Sequence, residues 1–148
     1  MRRAFTMIEL IFVIVIIGIL GAIAIPKLQA TRNDAEISVM AHAVSMAADE
    51  IAAVAVSRGD ASSDMDELSN VVKSLIEQEK ATLDDNVLKI KMHGVDDCLI
   101  LSIDSSDNDV NLTLSYGDAG SDGVCLALQE SLEDSNYTIP LRGQKIKL

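Results

Sequence analysis

Tryptophan is absent from this 148-residue chain, and two Phe and two Tyr are its only aromatic residues. Platforms on which bases or sugars stack are therefore scarce. Cations are few as well. Twelve Lys and Arg face 23 Asp and Glu, a formal charge of −11, which argues against a nucleic-acid surface built on clustered Lys and Arg. The two cysteines, Cys98 and Cys125, form no C-x-x-C pair, and His42 and His93 stand apart in the sequence, so neither a zinc nor a dithiol redox motif is present. There is no G-x-S-x-G elbow and no glycine-rich phosphate loop. These absences point away from an enzyme.

What the chain does have is one long apolar run, "FTMIELIFVIVIIGILGAIAIP", at its start. Phe5 to Ile25 is 21 residues, about 31 Å as a helix, against a bilayer hydrocarbon core of about 30 Å. Thirteen Ile, Leu, Val and Phe lie between Ile8 and Ile25; at about −0.3 to −0.6 kcal/mol each they favour insertion by roughly 4–8 kcal/mol. Glu9 interrupts the run, and an acidic residue costs on the order of 3 kcal/mol at the bilayer centre and less near an end. Insertion prevails. A cleaved secretory signal would have a shorter apolar run ending in a small-x-small cut site, whereas "AIPKLQATRNDAEIS" carries the helical pattern onward. Arg2 and Arg3 favour a cytoplasmic N-terminus and Lys27 and Arg32 oppose it; the acidic body and the cysteines favour placing the body outside.

Glu9 has two readings. Near the interface its carboxylate reaches water and does nothing further; deeper, it calls for a cationic partner within the membrane. A free amine at a helix N-terminus would serve, and one exists only if the chain is cut just ahead of the apolar run.

At these residues the chain resembles the type IV pilins and the pseudopilins of type II secretion. The likeness rests on the short basic leader Met1–Ala4, on "FTMIEL" from Phe5 to Leu10, on Gly18 inside the helix and on Pro26 closing it, and it spans about 25 residues. It implies cleavage between Ala4 and Phe5 by a prepilin peptidase, N-methylation of Phe5, and pairing of Glu9 with the Phe5 amine of a neighbouring subunit as a filament assembles. Ala4 is a departure, since the family usually has Gly before the cut. The implied partners are other copies of the chain, related pilin-like subunits, the prepilin peptidase and methyltransferase, the inner-membrane assembly machinery and membrane lipid. The implied location is the bacterial inner membrane with a cytoplasmic N-terminus, and afterwards a periplasmic or surface filament.

Past Pro26, Ile37, Met40, Val44, Ala47, Ile51 and Val54 recur every three or four residues, which predicts one helix from Phe5 to about Val56. Pro26 cannot donate to the carbonyl of Ala22, so a kink is expected there, and Gly18 and Gly21 loosen the same stretch. A second helix is expected from a cap at Ser63 or Asp64 to about Lys80, with Met65, Leu68, Val72, Leu75 and Ile76 as its apolar stripe. Strands are expected at "VLKIKM", "CLILSI", "VNLTLSY" and "VCLAL", with an edge strand in "YTIPLRGQKIKL", where Pro140 is confined to an edge or bulge. The expected class is α+β: a long kinked N-terminal helix against a small antiparallel sheet, as in pilins. The expected division is a leader at 1–4, a membrane and assembly helix at 5–26, its amphipathic continuation at 27–57 and a globular domain at 58–148.

Cys98 and Cys125 are either buried free thiols or, with the body outside the inner membrane, a disulfide; the bridge is expected, stabilising by roughly 3 kcal/mol. "DSSDNDVN" and "GDAGSDG" read as solvated turns. The carboxylates of Asp104, Asp107, Asp109, Asp118 and Asp122 could gather around a calcium ion, which prefers oxygen ligands, although neither stretch has EF-hand spacing. Major pseudopilins commonly hold calcium in a loop of the globular domain, but the resemblance does not reach these residues. "DVNLT" and "DSNYT" fit the acidic-x-Asn-x-Thr form of bacterial glycosylation acceptors at Asn111 and Asn136, a form that chance readily supplies in so acidic a chain. The expected function is a filament subunit, with a slight lean to a secretion pseudopilin. The alternative is an uncleaved, signal-anchored periplasmic protein that binds calcium or a glycan.

Overall fold

The computed structural model describes residues 5–58, 64–105, 110–133 and 138–141. Contacts divide the chain into two compact units, residues 1–36 and 37–148. Helix α1, Met7–Arg58, belongs to both and stays helical through Pro26. In the first unit every described residue is exposed except Gly21 and Asn33, which are half-buried.

In the second unit α1 becomes amphipathic. Met40, Val44, Ala47, Ala48, Ile51 and Ala55 are buried, the three-and-four spacing of a core-facing stripe. They cover one face of a five-stranded antiparallel sheet in sequential order: β1 (Ala81–Asp84), β2 (Val87–Met92), β3 (Val95–Ser105), β4 (Val110–Tyr116) and β5 (Thr138–Pro140). Register aligns the inward residues in rows. Leu88 lies opposite Leu101 and Leu101 opposite Leu114, while Ile90 faces Leu99. Val44 and Ala48 of α1 meet Leu101, Leu112 and Leu114 across the core. The other face carries Lys89, Ser102 and Thr113, the apolar-in, polar-out alternation of a sheet wetted on one side. The β2–β3 hairpin turns on His93 (φ 49°) and Gly94 (φ 90°), both left-handed, as a two-residue type I′ turn demands. The class is therefore α+β and pilin-like.

Three elements depart from the sequence expectation. The expected second helix is two helices, α2 (Met65–Leu68) and α3 (Asn70–Glu77), parted by Ser69 in an extended conformation. Ser69 Oγ accepts from the Val72 amide at 3.2 Å and donates to Glu50 Oε2 of α1 at 2.8 Å, and Glu50 also accepts from the Val71 amide at 3.3 Å. Serine at a cap competes with continued helix, and here a carboxylate from another element reinforces it. Of the expected caps, Asp64 makes no side-chain cap bond and Ser63 lies outside the described residues.

"VCLAL" is not a strand. It lies within helix α4, Gly123–Ser131, capped by Asp122, whose Oδ1 accepts from the amides of Val124 (3.1 Å) and Cys125 (2.8 Å). Val124, Cys125 and Leu128 are its buried residues, a helical spacing that a five-residue apolar run does not disclose. Strand β1 has no counterpart in the sequence reading. The tail strand is present at Thr138–Pro140; among the described residues it pairs only with β4, so Pro140 sits at an edge.

Those bonds hold Glu50 below its ordinary value of 4.5, chiefly through the Ser69 hydroxyl and then the Val71 amide. A carboxylate with a lowered folded value contributes stability that is complete above its unfolded value and is lost as pH falls through the folded one. Thermal melts of the detergent-solubilised chain should therefore show Glu50→Gln less stable by about 1–3 kcal/mol at pH 7. That deficit should shrink progressively below about pH 4.5 as the wild-type carboxylate protonates.

Candidate functional site

The apolar run folds as the start of α1, and its opening is a reciprocal cap. The Thr6 amide donates to Glu9 Oε2 at 2.9 Å, the Thr6 hydroxyl donates to the same oxygen at 2.7 Å, and the Glu9 amide donates to Thr6 Oγ1 at 3.4 Å. This is the T-x-x-E capping box, which satisfies orphan amides at a helix start and places a carboxylate at the positive end of the helix dipole. Neither sequence reading of Glu9, a carboxylate reaching water or one that calls for a cationic partner, included this cap, though Thr6 three residues upstream is the signal. Both bonds to Glu9 end on Oε2, leaving Oε1 as the oxygen that Thr6 does not use.

Around this polar knot the surface is apolar and without cover. Phe5 is 81 % exposed, and the large side chains from Met7 to Ile25 are exposed along the whole run. The most apolar 18-residue window has a mean hydropathy of 3.0, and the helix is long and apolar enough to cross a membrane. A Cβ added at Gly18 or Gly21 meets nothing within 4 Å, so the subunit's own fold does not require glycine at either position. Any steric demand for glycine there arises from a surface outside the subunit. Ala4 lies outside the described residues.

The other candidates are scattered. The sulfurs of Cys98 and Cys125 are bonded, joining β3 to α4 with Cα atoms 5.7 Å apart. Gln129 reinforces the joint, its amide donating to the carbonyls of Cys98 (2.8 Å) and Gly117 (3.0 Å). Of the five candidate aspartates, the described ones, Asp104, Asp118 and Asp122, do not gather. Asp104 is opposite Asn111 at one end of the β3–β4 hairpin, while Asp118 and Asp122 follow Tyr116, which pairs with Leu99 at the other end. Five residues of strand, roughly 17 Å, separate those ends. Asp118 Oδ1 accepts from the Gly120 amide in a tight turn. Asp122 is committed to the α4 amides and, through Oδ2, to His93 Nδ1 at 2.7 Å; the His93 bond, followed by the Cys125 amide, holds its carboxyl below the ordinary range. Asp107 and Asp109 lie outside the described residues, and among the described residues no three His, Cys, Asp or Glu form a metal-binding group. Asn111 is half-buried in β4 between Asp104 and Pro140, in a sheet and not in the surface loop where an N-glycan acceptor is expected. Asn136 lies outside the described residues.

No curated protein and no solved structure matches this chain. The first 25 residues do match a known pattern, the prokaryotic N-terminal methylation motif. That motif implies processing by prepilin peptidase and assembly with other pilin subunits, and together with the apolar helix it fits anchoring in the inner membrane before assembly. Residues 1–25, which include the Thr6–Glu9 knot and most of the uncovered apolar helix, are thus the signature shared by type IV pilins and pseudopilins.

Proposed function

We propose that this chain is a structural subunit of a type IV pilus-like or type II secretion pseudopilus filament, with the balance leaning to the pseudopilus. One observation carries the reading: the methylation motif lies on a helix whose apolar surface, from Phe5 to Ile25, is wholly uncovered in the single subunit. Lipid covers that surface before assembly, and neighbouring helices replace the lipid afterwards. Cleavage between Ala4 and Phe5 frees an amine, Phe5 is N-methylated, and the amine seeks a carboxylate in the low-dielectric filament core. Glu9 of an adjacent copy supplies it. The chain divides accordingly into a leader (1–4), a membrane and assembly helix (5–26), its amphipathic continuation (27–57) and an outward globular domain (58–148). The lean to a pseudopilus rests on the modest size of that domain and on its single internal disulfide.

Mass spectrometry of the N-terminal peptide, taken from protein in its native membranes, tests the reading. A chain that begins at N-methylated Phe5 is the expected result. A chain that still begins at Met1, in cells whose prepilin peptidase is active, overturns the filament reading and leaves a signal-anchored periplasmic protein in its place.

A further inference from the structure

Polar anchors stand on either side of the Cys98–Cys125 bond. Ahead of it on α4, Asp122 caps the helix and its Oδ2 meets His93 Nδ1 at 2.7 Å, on the turn that leads into β3. One helical turn after Cys125, Gln129 Nε2 donates to the carbonyls of Cys98 (2.8 Å) and Gly117 (3.0 Å). Residues 125 and 129 share a helical face, so the side chain that grips the Cys98 backbone lies directly behind the cysteine that bonds to it.

Beside these anchors runs an apolar row. Val124, Leu128 and Leu132 recur every fourth residue and are buried. Leu132 reaches the core that Val44 and Ala48 of α1 share with Leu101, Leu112 and Leu114. Such burial holds a helix down without fixing its roll or slide, because the hydrophobic effect has no direction. Hydrogen bonds do have direction. The Cys98 carbonyl accepts one bond from the Gly117 amide at 3.2 Å, and Gln129 supplies a second donor. Two carbonyl oxygens thus face one side-chain amide, whose nitrogen has two hydrogens to give. A disulfide needs Cα atoms within about 4.4–6.8 Å, and here they are 5.7 Å apart. A slip of one residue along α4 turns Cys125 by about 100° and carries it away from Cys98.

We propose that Gln129 is the positioning residue for this disulfide: α4 seats on β3 without the bond, and the bond closes on a helix already in register. Closure takes two exchanges with an external disulfide. One cysteine thiolate attacks it, expelling a thiol and leaving a mixed disulfide; the other cysteine thiolate then attacks the protein sulfur and expels the second thiol. Two protons leave the cysteines and two electrons pass to the external disulfide. Both cysteines are fully buried, so the first exchange takes place on chains whose α4 has lifted, and the second as the helix returns to its seat. Gln129 acts on that return. The proposal stands apart from the filament reading.

Two measurements on the full-length, detergent-solubilised chain test it. In a Cys98→Ala, Cys125→Ala chain, hydrogen exchange at the amides of residues 126–132 should stay within tenfold of the bonded chain. Adding Gln129→Met, which keeps the length and removes the donors, should speed that exchange at least a hundredfold while β2, β3 and β4 stay protected. With both cysteines present, Gln129→Met should lower the equilibrium constant for bond formation against glutathione at least tenfold, which raises the reduction potential by about 30 mV. A residue that merely stabilises the fold costs bonded and unbonded chains alike and leaves that potential unmoved. An α4 that exchanges freely once the cysteines are gone and Gln129 remains, whether or not the sheet survives, overturns the proposal. So does a potential that Gln129→Met does not change.

Discussion

Glu9→Ala should abolish filament assembly while leaving the subunit inserted in the membrane and cut at Phe5. The carboxylate is proposed to neutralise a neighbour's N-terminal amine inside a core of Ile, Leu, Val and Phe. Removing one partner of a buried charge pair costs about 3–5 kcal/mol, because the other charge stays buried and unpaired. At 1.4 kcal/mol per factor of ten, this weakens each step of addition by about two to three and a half powers of ten. Sedimentable filament, compared with total processed subunit, reads the effect. Glu9 also caps α1 through Thr6, so loss of the cap must be separated from loss of the charge. Thr6→Val removes the hydroxyl's part in the cap and keeps the carboxylate; a cap alone is worth about 0.5–2 kcal/mol. Filament yield should fall far less in Thr6→Val than in Glu9→Ala, and equal losses would show that Glu9 acts only as a cap.

Gly117→Ala should be the most damaging small substitution in the globular unit. A Cβ at Gly117 would run into the carbonyl oxygen of Asp97 and stand 2.7 Å from its carbonyl carbon. These are backbone atoms, so no side chain can swing aside. Either β3 or β4 must move, and both are tied at that level. The Gly117 amide donates to the Cys98 carbonyl at 3.2 Å, and Gln129 binds both carbonyls. Overpacking a close-fitting interior typically costs 1–3 kcal/mol, and a clash with fixed backbone belongs at or above about 3 kcal/mol. Thermal melts of the detergent-solubilised chain, with limited proteolysis of the α4 region, measure it. Gly120→Ala is the contrast: nothing lies within 4 Å of its Cβ, and its penalty comes only from φ of +55°.

How much of this was readable from the chain depends on the range of the interaction. Strands β2 and β4 end where the alternation of Leu88, Ile90 and Met92, and of Val110, Leu112, Leu114 and Tyr116, ends, because burial on one face repeats every second residue. The soluble half of α1 was equally legible from its three-and-four spacing. Short apolar stretches were not: Val124–Leu128 satisfies strand and helix alike, and the deciding residue is Asp122 just ahead of it. Strand β1 has only four residues and one buried side chain, too few to register a period. The break at Ser69 was out of reach, since its partner Glu50 is 19 positions away. At the N-terminus the reverse holds. The cap between Thr6 and Glu9 is local and was available in the sequence, while the amine proposed to meet Glu9 belongs to another molecule.

The two margins of the sheet bear on what kind of polymer this chain forms. A strand margin offers unpaired amides and carbonyls on which another chain can add, the route to amyloid-like aggregation. Among the described residues one margin is β1, four residues long with Asp84 exposed at its end; the other is β5, three residues closing on Pro140, which has no amide hydrogen to give. Subunits crowded together at high local concentration find little on either margin to extend. A protein whose proposed task is to associate with its own kind without limit thus carries blunted sheet edges, and these steer self-association towards its helices and away from its strands.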